Sequence, residues 1–132
     1  MERAIPFKAT RNNRLNEVTE DYTELIDSLV ESQSEARVCD IARELGVSHV
    51  SVLKTLKRLT RDGYLKDSSR IELTEKGKQT GQFARRKHQI LKEFLLKLGV
   101  PESIVDIDVE GIEHYISQTT LEAIHAYVKN HF

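Results

Sequence analysis

The chain has 132 residues, of which 39% are hydrophobic and 31% charged, with a net charge of −1. That length suits one compact domain or two small ones sharing a core. No stretch reaches a membrane span and the N-terminus has no apolar signal core, so a cytoplasmic chain with no membrane partner is expected.

One cysteine, Cys39, rules out an internal disulfide. It lies among Val38, Ile41, Ala42 and Leu45 and reads as a small core residue. Charge is unevenly spread. Residues 1–90 carry 17 Lys/Arg against 14 Asp/Glu, and residues 91–132 carry 3 against 7. Between Ser48 and Lys78 there are 8 basic and 4 acidic residues, a local excess of the kind that meets phosphates.

In chain order, Met1 to Arg14 holds Arg3, Lys8, Arg11 and Arg14 around Pro6 with little apolar periodicity. Residues 1–15 therefore read as a flexible basic arm. Tyr22, Leu25, Ile26, Leu29 and Val30 follow helical spacing, predicting a first amphipathic helix from about Val18 to Gln33. Asp21 borders its apolar stripe and Glu24 lies further round.

Val38 to Leu45 reads as a short helix stopped by Gly46. Gly46-Val47-Ser48 is a tight turn, and Ser48 caps a helix from about His49 to Asp62. Two short helices joined this way form a helix-turn-helix. Val52, Leu56 and Leu59 face the core. His49, Val50, Ser51 and Lys54 then lie where a recognition helix meets base edges. Lys57, Arg58 and Arg61 extend a basic face, and Arg37 and Ser48 flank the motif. A basic helix is also a common solubilising surface, but the helix-turn-helix context favours DNA.

Gly63 to Lys66 and Ile71 to Leu73 read as two strands around the turn Asp67-Ser68-Ser69-Arg70. A hairpin after a recognition helix is the wing of a winged helix, with Lys66 and Arg70 near its tip. Thr74 caps a long helix to about Leu98, with Phe83, Ile90, Leu91, Phe94, Leu95 and Leu98 as its apolar stripe and His88 at the border. Gly99 stops it and Pro101 opens the next helix, expected to reach Ile116. Thr119 and Glu122 read as the capping box of a last helix. The fold class is mainly α: a winged helix-turn-helix over 16–75, and helices over 76–132 whose surplus apolar stripes suggest a homodimer interface.

Glu110, Glu113 and His114 stand at i, i+3 and i+4. On a helix this gathers two carboxylates and an imidazole on one side, a donor set for a divalent first-row metal. The same run is common on a solvated helix face, and spacing alone leaves both readings open. Asp21 with Glu24, and His88, are further groups of suitable chemistry.

Three stretches, Glu20-Asp21-Tyr22-Thr23-Glu24-Leu25-Ile26, Arg86-Lys87-His88-Gln89-Ile90-Leu91 and Val109-Glu110-Gly111-Ile112-Glu113-His114, resemble the diphtheria toxin repressor family, and within it the manganese transport regulators. Between them, Ile41 to Ser48 matches the helix-turn-helix. The resemblance runs from about Asn16 to Asn130. It implies that Asp21, Glu24, His88, Glu110, Glu113 and His114 hold one or two Mn²⁺ ions per subunit. In the iron-responsive branch the positions of Asp21 and Glu110 are typically Met and Cys; here both are carboxylates, which suit Mn²⁺. Tyr115 stands where the manganese branch often shows a second His. The function implied is a Mn²⁺-dependent homodimeric repressor of manganese uptake genes, binding palindromic double-stranded DNA through Arg37, Ser48, His49, Val50, Ser51, Lys54, Lys57, Arg58, Lys66 and Arg70. Metal would join the DNA-binding and dimerisation parts. No enzyme activity and no small organic substrate are expected. The alternatives are an Fe²⁺ or Zn²⁺ sensor of the same family, a metal-independent or protein-binding winged helix and, remotely, a dinuclear metal hydrolase, for which no nucleophile is evident.

Overall fold

The computed structural model describes the backbone of residues 4–132 and the side chains of residues 4–8 and 16–132. Among the described residues there are six helices: α1 (Ala4–Gln33), α2 (Val38–Leu45), α3 (His49–Arg61), α4 (Glu75–Lys97), α5 (Glu102–Ile112) and α6 (Gln118–His131). They form two compact units, one of Val18–Phe83 and one of the residues up to Glu17 with Ala84–Phe132. The dividing point falls inside α4 at Phe83/Ala84, beyond the 75/76 boundary read from the sequence.

The unit of Val18–Phe83 is a winged helix. Its core joins Tyr22 and Ile26 of α1, Ile41 and Ala42 of α2, Val52 and Leu59 of α3, and Leu65 and Leu73 of the wing. Gly46 ends α2 with φ 66°, a left-handed conformation that glycine takes without a Cβ clash. Ser48 caps α3, its Oγ accepting the Ser51 N–H at 3.1 Å. The wing is smaller than the expected strand pair. It has one antiparallel bridge, Leu65 to Leu73, flanked by Lys66 N–H to Glu72 O at 2.9 Å and Thr74 N–H to Tyr64 O at 3.0 Å. The polar run Asp67 to Arg70 leaves few residues on each side to extend the ladder. The Thr74 hydroxyl donates to Gly63 O at 2.6 Å and accepts the Gly77 N–H at 3.1 Å, fixing the start of α4 against the end of α3.

Three further expectations are corrected. The first helix begins at Ala4 rather than Val18. Pro6 stands in its first turn, where backbone N–H groups have no intrahelical acceptor and the missing donor costs little. Met1 to Arg3 and the side chains of Arg11 and Arg14, read as parts of a basic arm, lie outside the described residues. Cys39 is exposed, because the buried face of α2 is set by Ile41 and Ala42 and Cys39 is one residue out of phase with Val38 and Ile41. The cap of α6 is Ser117, whose Oγ accepts the Thr120 N–H at 3.2 Å, two residues before the expected Thr119.

The other unit packs Ile90 and Leu91 of α4, Val105 and Val109 of α5, and Leu121 of α6, with Leu95, Val100, Ile116 and Ile124 around them. Phe83 and Leu98, placed on the α4 stripe by spacing, are exposed.

Candidate metal centre and nucleic-acid interface

The metal candidates of the second unit come from α4 and from the end of α5. Val105 and Val109 are wholly buried and seat α5. The helix ends at Ile112, short of the expected Ile116. Glu113 nevertheless keeps helical dihedrals of −58° and −31° and donates its N–H to Val109 O at 2.9 Å. The turn therefore retains the i, i+3, i+4 arrangement past the end of the helix. Glu113 is 1% and His114 3% exposed, while Glu110 is exposed. One carboxylate oxygen of Glu113 lies 3.0 Å from His88 Nδ1 and the other 3.4 Å from His114 Nε2. Glu110 Oε1 lies 3.9 Å from the same His114 nitrogen. Glu110, Glu113 and His114 can each offer one ligand atom within 4.8 Å of the others. An ionisable carboxylate at this depth is costly unless paired or coordinating. The donors are carboxylate oxygen and imidazole nitrogen, with no sulfur, and they fit a divalent first-row ion.

Asp21 and Glu24 belong to the other unit, where both are half-buried on α1. Thr23 between them is fully buried, its hydroxyl donating to Thr19 O at 2.8 Å. α4 crosses this turn at Gly81, where a Cβ would stand 2.7 Å from Thr23 O. Both candidates thus sit on a tightly packed stretch.

On α3, His49, Val50, Ser51, Lys54 and Lys57 are exposed on the face opposite Val52 and Leu59. Leu53 shares that face at 56% exposure beside Val50 at 61%, and sequence reasoning missed it. The available signal was its i+3 step from Val50, out of phase with the buried Val52 and Leu59. Exposed aliphatic groups among lysines suit a major groove, where the thymine methyl is an apolar feature. Ser48 is exposed, with its hydroxyl engaged in the α3 cap and 3.0 Å from Ser51 Oγ. Arg58 is half-buried and turned toward α1, donating to Thr19 Oγ1 at 3.2 Å and to Asp62 at 3.4 Å. Arg37 donates to Glu35 at 2.7 Å, and that hydrogen bond and charge raise its pKa. On the wing Lys66 is 3.8 Å from Glu72, and Arg70 is exposed.

Residues 14–70 match the family described as iron dependent repressor, N-terminal DNA binding domain, and residues 74–131 match the iron dependent repressor metal binding and dimerisation domain. The chain is 41% identical over 127 residues to the transcriptional regulator MntR of Salmonella typhimurium, covering 95% of this chain and 81% of that one. It is 41% identical over 107 residues to the HTH-type transcriptional regulator MntR of Bacillus subtilis, covering 80% and 75%. Among solved structures, a manganese-dependent transcriptional repressor in complex with manganese superposes with a TM-score of 0.75 at 26% identity over 83% of this chain. The chain spans about half the length of that structure, 52%.

Proposed function

Starting from the fact that the chain belongs to the diphtheria toxin repressor family, in its manganese transport regulator branch, we propose that it is a Mn²⁺-dependent, homodimeric DNA-binding repressor of manganese uptake. The observation that carries this reading is the buried Glu113 carboxylate with an imidazole nitrogen facing each of its oxygens.

The proposed ligands are Glu110, Glu113, His114 and His88, with Asp21 and Glu24 of α1. A bound divalent ion would supply positive charge to a carboxylate-rich donor set. Glu113 presents both oxygens and is held by the buried ridge of α5. His88 is oriented by its bond to Glu113, as partners behind a ligand commonly orient it. The absence of sulfur from the set supports Mn²⁺ over softer ions, although Mn²⁺ stands low in intrinsic affinity. Selectivity would then rest on coordination geometry.

DNA contact is assigned to His49, Val50, Ser51, Lys54 and Lys57 of α3, with Ser48, Arg37, Arg58, Lys66 and Arg70 around them. The exposed apolar and basic face of α3 supports this assignment. Val18–Phe83 would be the DNA-binding part and Ala84–Phe132 the dimerisation part. Ile104 and Ile107 on α5, 45% and 71% exposed, offer an apolar face for a second copy. A two-fold dimer places its recognition helices about one DNA turn apart, so the operator would be palindromic. The relatives are transcriptional regulators, and we assign this chain no catalytic role. No helix of the described residues is long and apolar enough to cross a membrane, and we place the protein in the cytoplasm.

Selection from a random DNA pool with Mn²⁺ present tests the proposal. The expected product is a palindrome with half-sites about one helical turn apart. Enrichment of no sequence, or equal enrichment in chelator, would defeat it.

A further inference from the structure

Tyr115 follows the ligand candidate His114 in a turn that has already left α5. Past Ile112 the backbone carries Glu113 N–H to Val109 O at 2.9 Å and Tyr115 N–H to Ile112 O at 3.0 Å, and the next helix starts at the Ser117 cap. His114 therefore lies between two helices rather than inside one. The Tyr115 hydroxyl reaches sideways and donates to Glu17 Oε2 of α1 at 2.7 Å, joining residues 98 apart in sequence. A hydroxyl-to-carboxylate bond of this length is charge-assisted and stronger than a neutral pair. Tyrosine makes it with a rigid ring, so little side-chain entropy is lost in holding it. Glu17 stands four residues before Asp21 on the continuous α1 and shares its helix face.

We propose that Tyr115 and Glu17 form a positioning latch for the metal centre. Neither is a ligand. The latch holds the 113–115 turn in the arrangement that presents Glu113 and His114, so that less reordering remains when metal binds. This inference rests on the metal-binding reading above. It gives a role to the tyrosine that departs from the branch pattern, and to the stretch of α1 before Asp21. Because the binding-competent arrangement sets apparent affinity, loosening the turn should weaken metal binding without removing a donor.

The test is calorimetric titration of the whole chain with Mn²⁺ alone, beside the thermal midpoints of the metal-free proteins. Tyr115→Phe and Glu17→Ala should each weaken Mn²⁺ binding by about three- to tenfold. The double variant should be no weaker than either single one. Glu17→Gln, whose amide oxygen still accepts from the phenol, should keep most of the affinity. A purely structural contact would lower the midpoints and leave the affinity unchanged. That result, or losses that add in the double variant, would overturn the latch. Absence of Mn²⁺ binding by the unmodified chain would overturn the metal reading, and the latch with it.

Discussion

Gly81→Ala probes how the α1 turn carrying Asp21 and Glu24 is seated. The added Cβ would lie 2.7 Å from Thr23 O, 2.9 Å from Thr23 C and 3.1 Å from Glu24 N. These are backbone atoms of a helix and cannot swing aside. Ordinary contact begins near 3.4 Å, so α1 and α4 would have to part by about 0.7 Å at this point. Alanine favours a helix over glycine by about 1 kcal/mol, whereas overpacking costs about 1–3 kcal/mol. With three backbone atoms in the way the steric cost wins, and a net loss of about 1–2 kcal/mol is expected. Gly111→Ala on α5 is the control, since its Cβ meets nothing within 4 Å; it should stabilise by about 0.5–1 kcal/mol. Urea unfolding of the metal-free proteins reads both effects. Mn²⁺ affinity should fall with the Gly81 variant, because the displaced segment carries Asp21 and Glu24. A Gly81→Ala protein as stable as the parent would refute the close approach of α4 to α1.

Glu113→Gln keeps the side-chain shape and removes the charge. Mn²⁺ affinity, read by titration, should fall by more than the roughly 10–100-fold typical of a residue standing behind a metal ligand. Asp40 gives a pH prediction. Its carboxyl is held below the usual value of 3.8, first by the Gln33 amide at 2.7 Å and then by Arg43 at 2.9 Å. A lowered folded-state pKa contributes stability above the unfolded value, and that contribution is lost as pH falls through the folded one. Asp40→Asn should therefore flatten the decline of the unfolding midpoint below pH 3.8. Ser117→Ala removes the acceptor for the Thr120 N–H and should cost about 1 kcal/mol in denaturant unfolding.

The helix-turn-helix was legible because its boundaries are local chemistry. Gly46 and Ser48 stop and start helices through their own backbone preferences, and α2 runs over the expected Val38–Leu45. Departures arose where local signals compete. Thr119-x-x-Glu122 resembles a capping box, yet Ser117 takes the cap, with extended dihedrals of −74° and 156° and its own hydroxyl accepting the Thr120 N–H. Pro6 reads as a helix breaker unless the helix begins only two residues earlier. The end of α5 at Ile112 was missed because Glu113 continues the helical backbone for one more residue. At the metal centre, spacing brings Glu110, Glu113 and His114 together, but the burial of Glu113 comes from packing of α4 against α5. His88, 25 residues away, meets it through that packing and not through any local pattern. Leu53 was passed over because an apolar residue on a helix reads first as core.

The most direct measurement is the affinity of the protein for its selected operator at fixed salt, by fluorescence anisotropy, with Mn²⁺ and then with a chelator. Tight, sequence-specific binding that collapses when the metal is removed is expected, with a Glu113→Gln protein that binds weakly under both conditions. Tight specific binding unchanged by the chelator would contradict it, leaving a winged-helix regulator whose Glu/Glu/His cluster senses nothing.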